Sequence, residues 1–333
     1  MTEAEGPAGL ELVRLRSVVA GPIEAWFPLR PGERALVGPG EAVVRGAPLA
    51  ERIREPRTEV VDGPGSAEPG SWWTGLPGRR KAEGRGEGEL LFRSGGRWRV
   101  GVGDPTEPLE APFGGIVREV TPGSGLTVES PARALLGADV LGGSSAGRLH
   151  RIAARDGHVR ASEIDVGAAG AILVVGAYVD AEAITRARAL GVRGIVVGGL
   201  GVKERREVMA SERRGRAGLH GLPPFGVVVL DGAIGRPIAS PVMDVLDALE
   251  GRLVGIVDEP ACLVIDDADV DLPVPTAGLV RVTAGPLAGA EGIWEGLAGP
   301  HRFGGGVILE AGFVKLGGRS AVAIPLGDLE RFA

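Results

Sequence analysis

Between residues 164 and 266, short continuous apolar runs alternate with amphipathic segments. GAILVVG (170–176), GVRGIVVGGLG (191–201) and PFGVVVLDG (224–232) have no polar face, as expected of strands buried on both sides. Between them, DAEAITRARAL (180–190), VKERREVMASERRGR (202–216) and SPVMDVLDALEG (240–251) show helical spacing. Strand–helix alternation predicts parallel pairing through crossovers, here in a compact α/β domain over 160–258. That span is too short for a full dinucleotide-binding domain. RLVGIV (252–257) and ACLVID (261–266) add strand candidates. Elsewhere the period is two. LELVRLRSVV predicts a first strand within an N-terminal extension, residues 1–30, and residues 276–333 read as successive short strands and turns.

Composition sharpens this picture. A chain of 333 residues predicts two or three domains. Its 57 glycines and 25 prolines, combined with 44% hydrophobic residues, indicate many short strands and tight turns rather than low complexity. Aromatics make up 4%, so the cores must be aliphatic. No apolar run is long enough to span a bilayer, and the amino end lacks a basic region followed by an apolar stretch. The single cysteine, Cys262, excludes an intramolecular disulfide and cysteine-based metal cages; its apolar surroundings mark it as a core residue. A cytoplasmic protein without a membrane partner is the expectation. The net charge of −6 means that any nucleic-acid contact must be local. Lysine occurs only at 81, 203 and 315, so nearly all basic character is arginine.

Within RPGERALVGPGEAVVRGAPLAERI, residues Gly40, Val43, Gly46 and Leu49 are spaced three apart. The glycines allow positive φ at tight turns, and Val43 and Leu49 face a small β core. Ala111, Pro112, Gly115 and Val117 open a second, similar segment. Together the two segments resemble the halves of a biotinyl/lipoyl-like barrel-sandwich hybrid, placed over 31–150. A carrier of that family presents a lysine at a hairpin tip between the halves. Here an insertion at about 61–108 occupies that place, and its Lys81 lacks small hydrophobic flanks. The resemblance therefore implies a docking or structural module, as in RNA polymerase large subunits, and no attached cofactor.

The insertion concentrates Trp72, Trp73 and Trp98 with Arg79, Arg80, Lys81, Arg97 and Arg99. Arginines suit phosphates and rings suit bases, so these residues are candidates for nucleic-acid binding. The alternative is a loop with solvated charges leading into a hairpin, ELLFRSGGRWRVGVG, turning at Gly95-Gly96.

In the last segment, Val280, Val282, Gly285, Pro286, Gly289 and Gly292 resemble a KOW motif. VAIPLGDLERF (322–332) resembles the closing strand of the same SH3-like barrel in the NusG family of transcription elongation factors. The resemblance implies a module that binds RNA, a ribosomal protein or a termination factor, or one that simply packs. The polymerase-clamping domain of that family has no counterpart in this chain.

Catalytic patterns are weak. Gly143-x-Ser145-x-Gly147 lacks the strand-then-helix flanks of a nucleophile elbow. Asp267, Asp269 and Asp271 lack the glycine and glutamate of a calcium loop and read as an acidic linker. His150, His158, His220 and His301 show neither metal-ligand spacing nor nearby acidic partners. Gly199, Gly201, Asp231 and Arg236 follow strand ends, where open α/β sheets bind ligands, and form a candidate crevice for a small anion. The helix bearing Lys203, Arg205, Arg206, Arg213, Arg214 and Arg216 interleaves acids and reads first as a solvated face. The leading expectation is thus a non-enzymatic adaptor of the transcription or translation machinery, touching RNA or a protein partner through its KOW barrel and also the 61–108 insertion. It would have a barrel-sandwich hybrid, a parallel α/β domain and a C-terminal SH3-like barrel. The alternative is an α/β protein that binds or transforms a small anion.

Overall fold

The computed structural model describes residues 8–30, 32–53, 57–62, 67–69, 71–76, 86–102, 106–216, 223–318 and 320–333. The chain is a mixed α/β protein rich in strands, with three α-helices among the described residues. None of these helices is long and apolar enough to cross a membrane.

A nine-stranded sheet forms the centre. Four neighbouring strands, Ser145–Arg151, Ala171–Val174, Gly194–Val197 and Gly226–Val229, run parallel in chain order. The continuous apolar runs of the last three are buried because both faces are covered, whereas Ser145–Arg151 buries only alternate residues, Ser145, Gly147 and Leu149. Helices α1 (Ala181–Ala189) and α2 (Val202–Arg216) set Ala183, Ile184, Ala187 and Val208 against Leu173, Ile195 and Val227 on one face. Helix α3 (Ser240–Ala248) sets Val242, Val245 and Leu246 against Ile172, Val196 and Val228 on the other.

The sheet extends beyond the 160–258 expected from periodicity. Asp139–Gly142 pairs antiparallel at one edge. On the other side Leu253–Val257, Cys262–Ile265, Arg133–Leu136 and Val19–Ala20 follow, all antiparallel. Residues 133–151, grouped by the sequence with the preceding β unit, therefore belong to this sheet. Their short two-periodic runs carry no mark of which sheet they join, and only the long-range pairing assigns them.

Two small sheets precede it in the chain. One orders Ile23–Pro28, Gly125–Ser130, Gly115–Thr121 and Ala42–Val43; the other orders Thr106–Glu110, Pro48–Ile53 and Arg34–Ala35. They share one core, in which Phe27, Val43, Leu49, Leu109, Phe113, Val117 and Leu126 are buried. Gly46 turns with φ +81° and its N–H donates to the Ala111 carbonyl at 2.8 Å, linking the two similar segments. Val257, Cys262 and Val264 of the central sheet close the same core. Burial pushes the Cys262 thiol up to about 12, which leaves it protonated and inert.

The insertion is a folded unit. Ile53 and Thr106 are directly opposite partners. The chain between them builds a four-stranded antiparallel sheet ordered Arg57–Val61, Arg97–Val102, Gly86–Ser94 and Trp72–Leu76. Gly95 and Gly96, both at positive φ, make the expected two-residue hairpin turn between Ser94 and Arg97. Val61, Leu90, Trp98 and Val100 form a separate small core.

The last sheet has six strands. Leu279–Val282, Glu291–Arg302, Ile308–Leu316 and Val322–Pro325 follow one another, a 3₁₀ turn spans Leu326–Asp328, and Leu329–Phe332 returns beside the first strand. Arg14–Arg16, from the opposite end of the chain, adds a parallel edge to Leu329–Phe332. Val13 enters the core of this sheet with Val280, Trp294 and Val314.

Candidate functional site

The carboxyl ends of the four parallel strands are the expected ligand position in an open α/β sheet, but here they are covered by the six-stranded sheet. The covering contact is built from charges. Arg281 donates to both Asp231 carboxylate oxygens, at 3.0 and 2.9 Å, and to the Pro237 carbonyl at 3.0 Å. Arg16 donates to Asp231 at 2.6 Å, and Glu330 accompanies both arginines. Burial alone would raise the Asp231 carboxyl, but the hydrogen bond and charge of Arg281, joined by Arg16, outweigh it and hold the group below its ordinary value. Nearby, both guanidinium nitrogens of Arg155 reach Glu291, at 2.9 and 2.7 Å. Glu291 also accepts from the backbone and hydroxyl of Ser240.

The four residues proposed as an anion crevice therefore do other work. Asp231 is a buried ion-pair partner, and Arg236 donates to the Thr283 carbonyl at 2.8 Å. Gly199 lies under the Ile234 carbonyl so closely that a Cβ would collide with it. At Gly201 a Cβ would lie 2.6 Å from a Glu204 oxygen. Gly199 permits close approach of chain to chain, while at Gly201 the near neighbour is the side chain of Glu204.

The KOW-like residues are equally occupied. Val280 and Val282 are core residues. Gly285 and Gly289, with Pro286, form the turn before Glu291, where the Gly289 N–H donates to the Val282 carbonyl at 2.8 Å. A Cβ at Gly292 would strike the Lys315 carbonyl. Gly289, at the end of this turn, lies against Pro237 and Arg236 of the α/β unit, whereas Gly285, Pro286 and Leu287 are exposed.

Trp98 was grouped with the arginines as a stacking residue, yet it is 3% exposed, inside the insertion's own core. Among the described side chains, the aromatic ring on the arginine face is Phe92, 51% exposed, directly across from Arg99; Val60 is the opposite cross-strand neighbour of Arg99. Arg97 sits on the same face and pairs with Asp62 at 3.0 Å, both exposed. Two-residue alternation along ELLFRSGGRWRV places Phe92 with Arg97 and Arg99 and Trp98 opposite, a signal that was present in the sequence. Arg79, Arg80 and Lys81 lie outside the described residues, as do the side chains of Trp72 and Trp73.

The remaining chemistry is sparse. Ser145 opens a strand, and its hydroxyl donates to the Arg193 carbonyl at 2.8 Å. Two histidines expected to lack acidic partners have them: His158 meets Asp180 at 2.8 Å and His150 meets Glu250 at 2.7 Å, all on the surface. Tyr178 lies edge-on to His158; burial, then its hydrogen bond to Glu204, pushes its hydroxyl up to about 12. Among the described residues, no group of three acids, histidines or cysteines could hold a metal ion. Asp267 is tied to Arg252 at 2.9 Å. Compared with known proteins, the chain matches no family model and no curated sequence.

Proposed function

We propose that the chain is a non-enzymatic, modular binding protein that serves as an adaptor of the transcription or translation machinery and contacts single-stranded RNA through its insertion. The reading takes the paired small sheets as a barrel-sandwich hybrid without a carrier lysine and the six-stranded sheet as an SH3-like KOW barrel. Support for the latter is the strand order. Four strands follow in sequence, and a 3₁₀ turn then leads to a fifth beside the first.

The observation that carries the reading is the outer face of the insertion sheet, where Arg97, Arg99 and exposed Phe92 stand together. Guanidinium groups neutralise phosphates and a ring stacks on a base, and a local face of this kind suits a chain whose net charge is −6. The Arg97–Asp62 pair is exposed and so contributes about 0–1 kcal/mol, which a phosphate can displace.

Fluorescence anisotropy with a labelled single-stranded RNA tests this. The wild type should bind with an affinity that falls as salt rises. Arg97→Ala and Arg99→Ala should each lower the salt slope by about one, and Phe92→Ala should weaken binding with the slope unchanged. Wild-type protein that shows no salt-sensitive RNA binding would overturn the proposal. The small-anion alternative finds less support, because Asp231 and Arg236 are committed to Arg281 and Thr283.

A further inference from the structure

The strands Glu291–Arg302 and Ile308–Leu316 are longer than their neighbours. Leu279–Val282 accompanies the first only as far as Ile293, and Val322–Pro325 accompanies the second only along Ala311–Val314. The pairs Pro300–Glu310, His301–Leu309 and Arg302–Ile308 therefore project as a two-stranded arm. Phe303 closes its tip, with its ring 5.2 Å from that of His301 and its N–H donating to the Val307 carbonyl at 2.8 Å.

The second strand of this arm begins apolar where it meets solvent, beside the exposed His301 and Arg302 of the first. Val307, Ile308 and Leu309 are 54%, 61% and 43% exposed, three consecutive residues with no charge, proline or bulge among them. Leu297 adds a further exposed side chain at the arm's base. An uncovered apolar edge of this kind is what sheet proteins ordinarily blunt with lysine, proline or a bulge. From Phe303 to Leu309 the chain has no charged residue, so a phosphate backbone would find no counter-charge there.

We propose that the arm pairs with the same arm of a second copy of this chain. A two-fold interface must be complementary to itself, and an uncharged apolar edge meets that condition where a charged one would repel its copy. The charges that bracket it fit the same geometry. Arg302 stands at the tip and Glu310 nearer the base, so antiparallel pairing brings the acidic base of each arm beside the basic tip of the other. Among the described residues no strand pairs with the outer edge at Ile308–Glu310, which would supply the inter-chain hydrogen bonds.

Sedimentation equilibrium over a dilution series tests the proposal. The wild type should be a dimer that dissociates on dilution. Ile308→Lys and, separately, Val307→Glu should be monomeric at concentrations where the wild type is dimeric, with circular dichroism and thermal melting unchanged. Val44→Lys, the same kind of change at a remote site that is 71% exposed, should leave the dimer intact. A wild type that is monomeric throughout, or a dimer that survives both arm substitutions, would overturn it.

Discussion

Asp231 shows how one side chain can be read correctly as to chemistry and wrongly as to use. Its place after a strand, with Arg236 nearby, suggested an open anion site, whereas the fold supplies the anion's partners from elsewhere: Arg281 is 50 residues away and Arg16 is 215. Removing one member of a buried ion pair strands the other charge and costs about 3–5 kcal/mol, so Asp231→Ala should lower the melting temperature by several degrees or more. The pH dependence has a definite sign. The folded carboxyl is held below its ordinary value, so its stabilisation is fully present above the unfolded value of about 4 and is lost as pH falls through the lower folded value. Thermal melts between pH 7 and pH 2 should show this acid loss in the wild type and its reduction in Asp231→Asn. A wild-type acid profile unchanged by the substitution would mean that the ion pair carries no coupling. Trp98 and Phe92 are the opposite case, because strand alternation alone could have exchanged them.

At the scale of elements, periodicity was a good guide. All three helices and three of the four parallel strands, Ala171–Val174, Gly194–Val197 and Gly226–Val229, lie within the segments that showed those periods, because an apolar repeat of 3.6 or a continuous apolar run has few other ways to be buried. Harder to see was that the insertion makes its own sheet. Among the described residues its buried core is four side chains, two of them, Leu90 and Trp98, separated by the turn that brings them together. Because Ile53 and Thr106 already face each other, joining them with Asn-Gly in place of residues 54–105 supplies a standard hairpin turn. The shortened protein should keep a cooperative melt and the circular dichroism of the helices, while losing RNA binding. Loss of the cooperative melt would show that the insertion sheet supports the rest of the fold.

The whole molecule is closed by its two ends. Arg14–Arg16 runs beside Leu329–Phe332, the Val18 N–H donates to the Ala333 carbonyl at 2.8 Å, and the Ala333 N–H donates to the Arg16 carbonyl at 3.1 Å. Val13 and Arg16 thus belong to the core and to the charged contact of a sheet that begins at Leu279. Deleting residues 1–18 removes two buried side chains, Val13 and Val18, an edge strand and one partner of Asp231. It should lower the melting temperature more than the far longer deletion of 54–105, and differential scanning calorimetry of the two proteins decides the matter.

The sequence by itself determined what depends on neighbours within about ten residues: the helices, the buried strands, the glycine turns, the hairpin at Gly95-Gly96 and the burial of Cys262. The tertiary structure alone decided what depends on distant partners. It placed residues 133–151 in the central sheet, joined the amino end to the last sheet, brought His158 to Asp180, and turned the Asp231 crevice into an inter-sheet ion pair. The physical reason is that hydropathy and turn chemistry act locally along the chain, whereas strand pairing and charge neutralisation are settled by whichever segments the collapsed chain brings together.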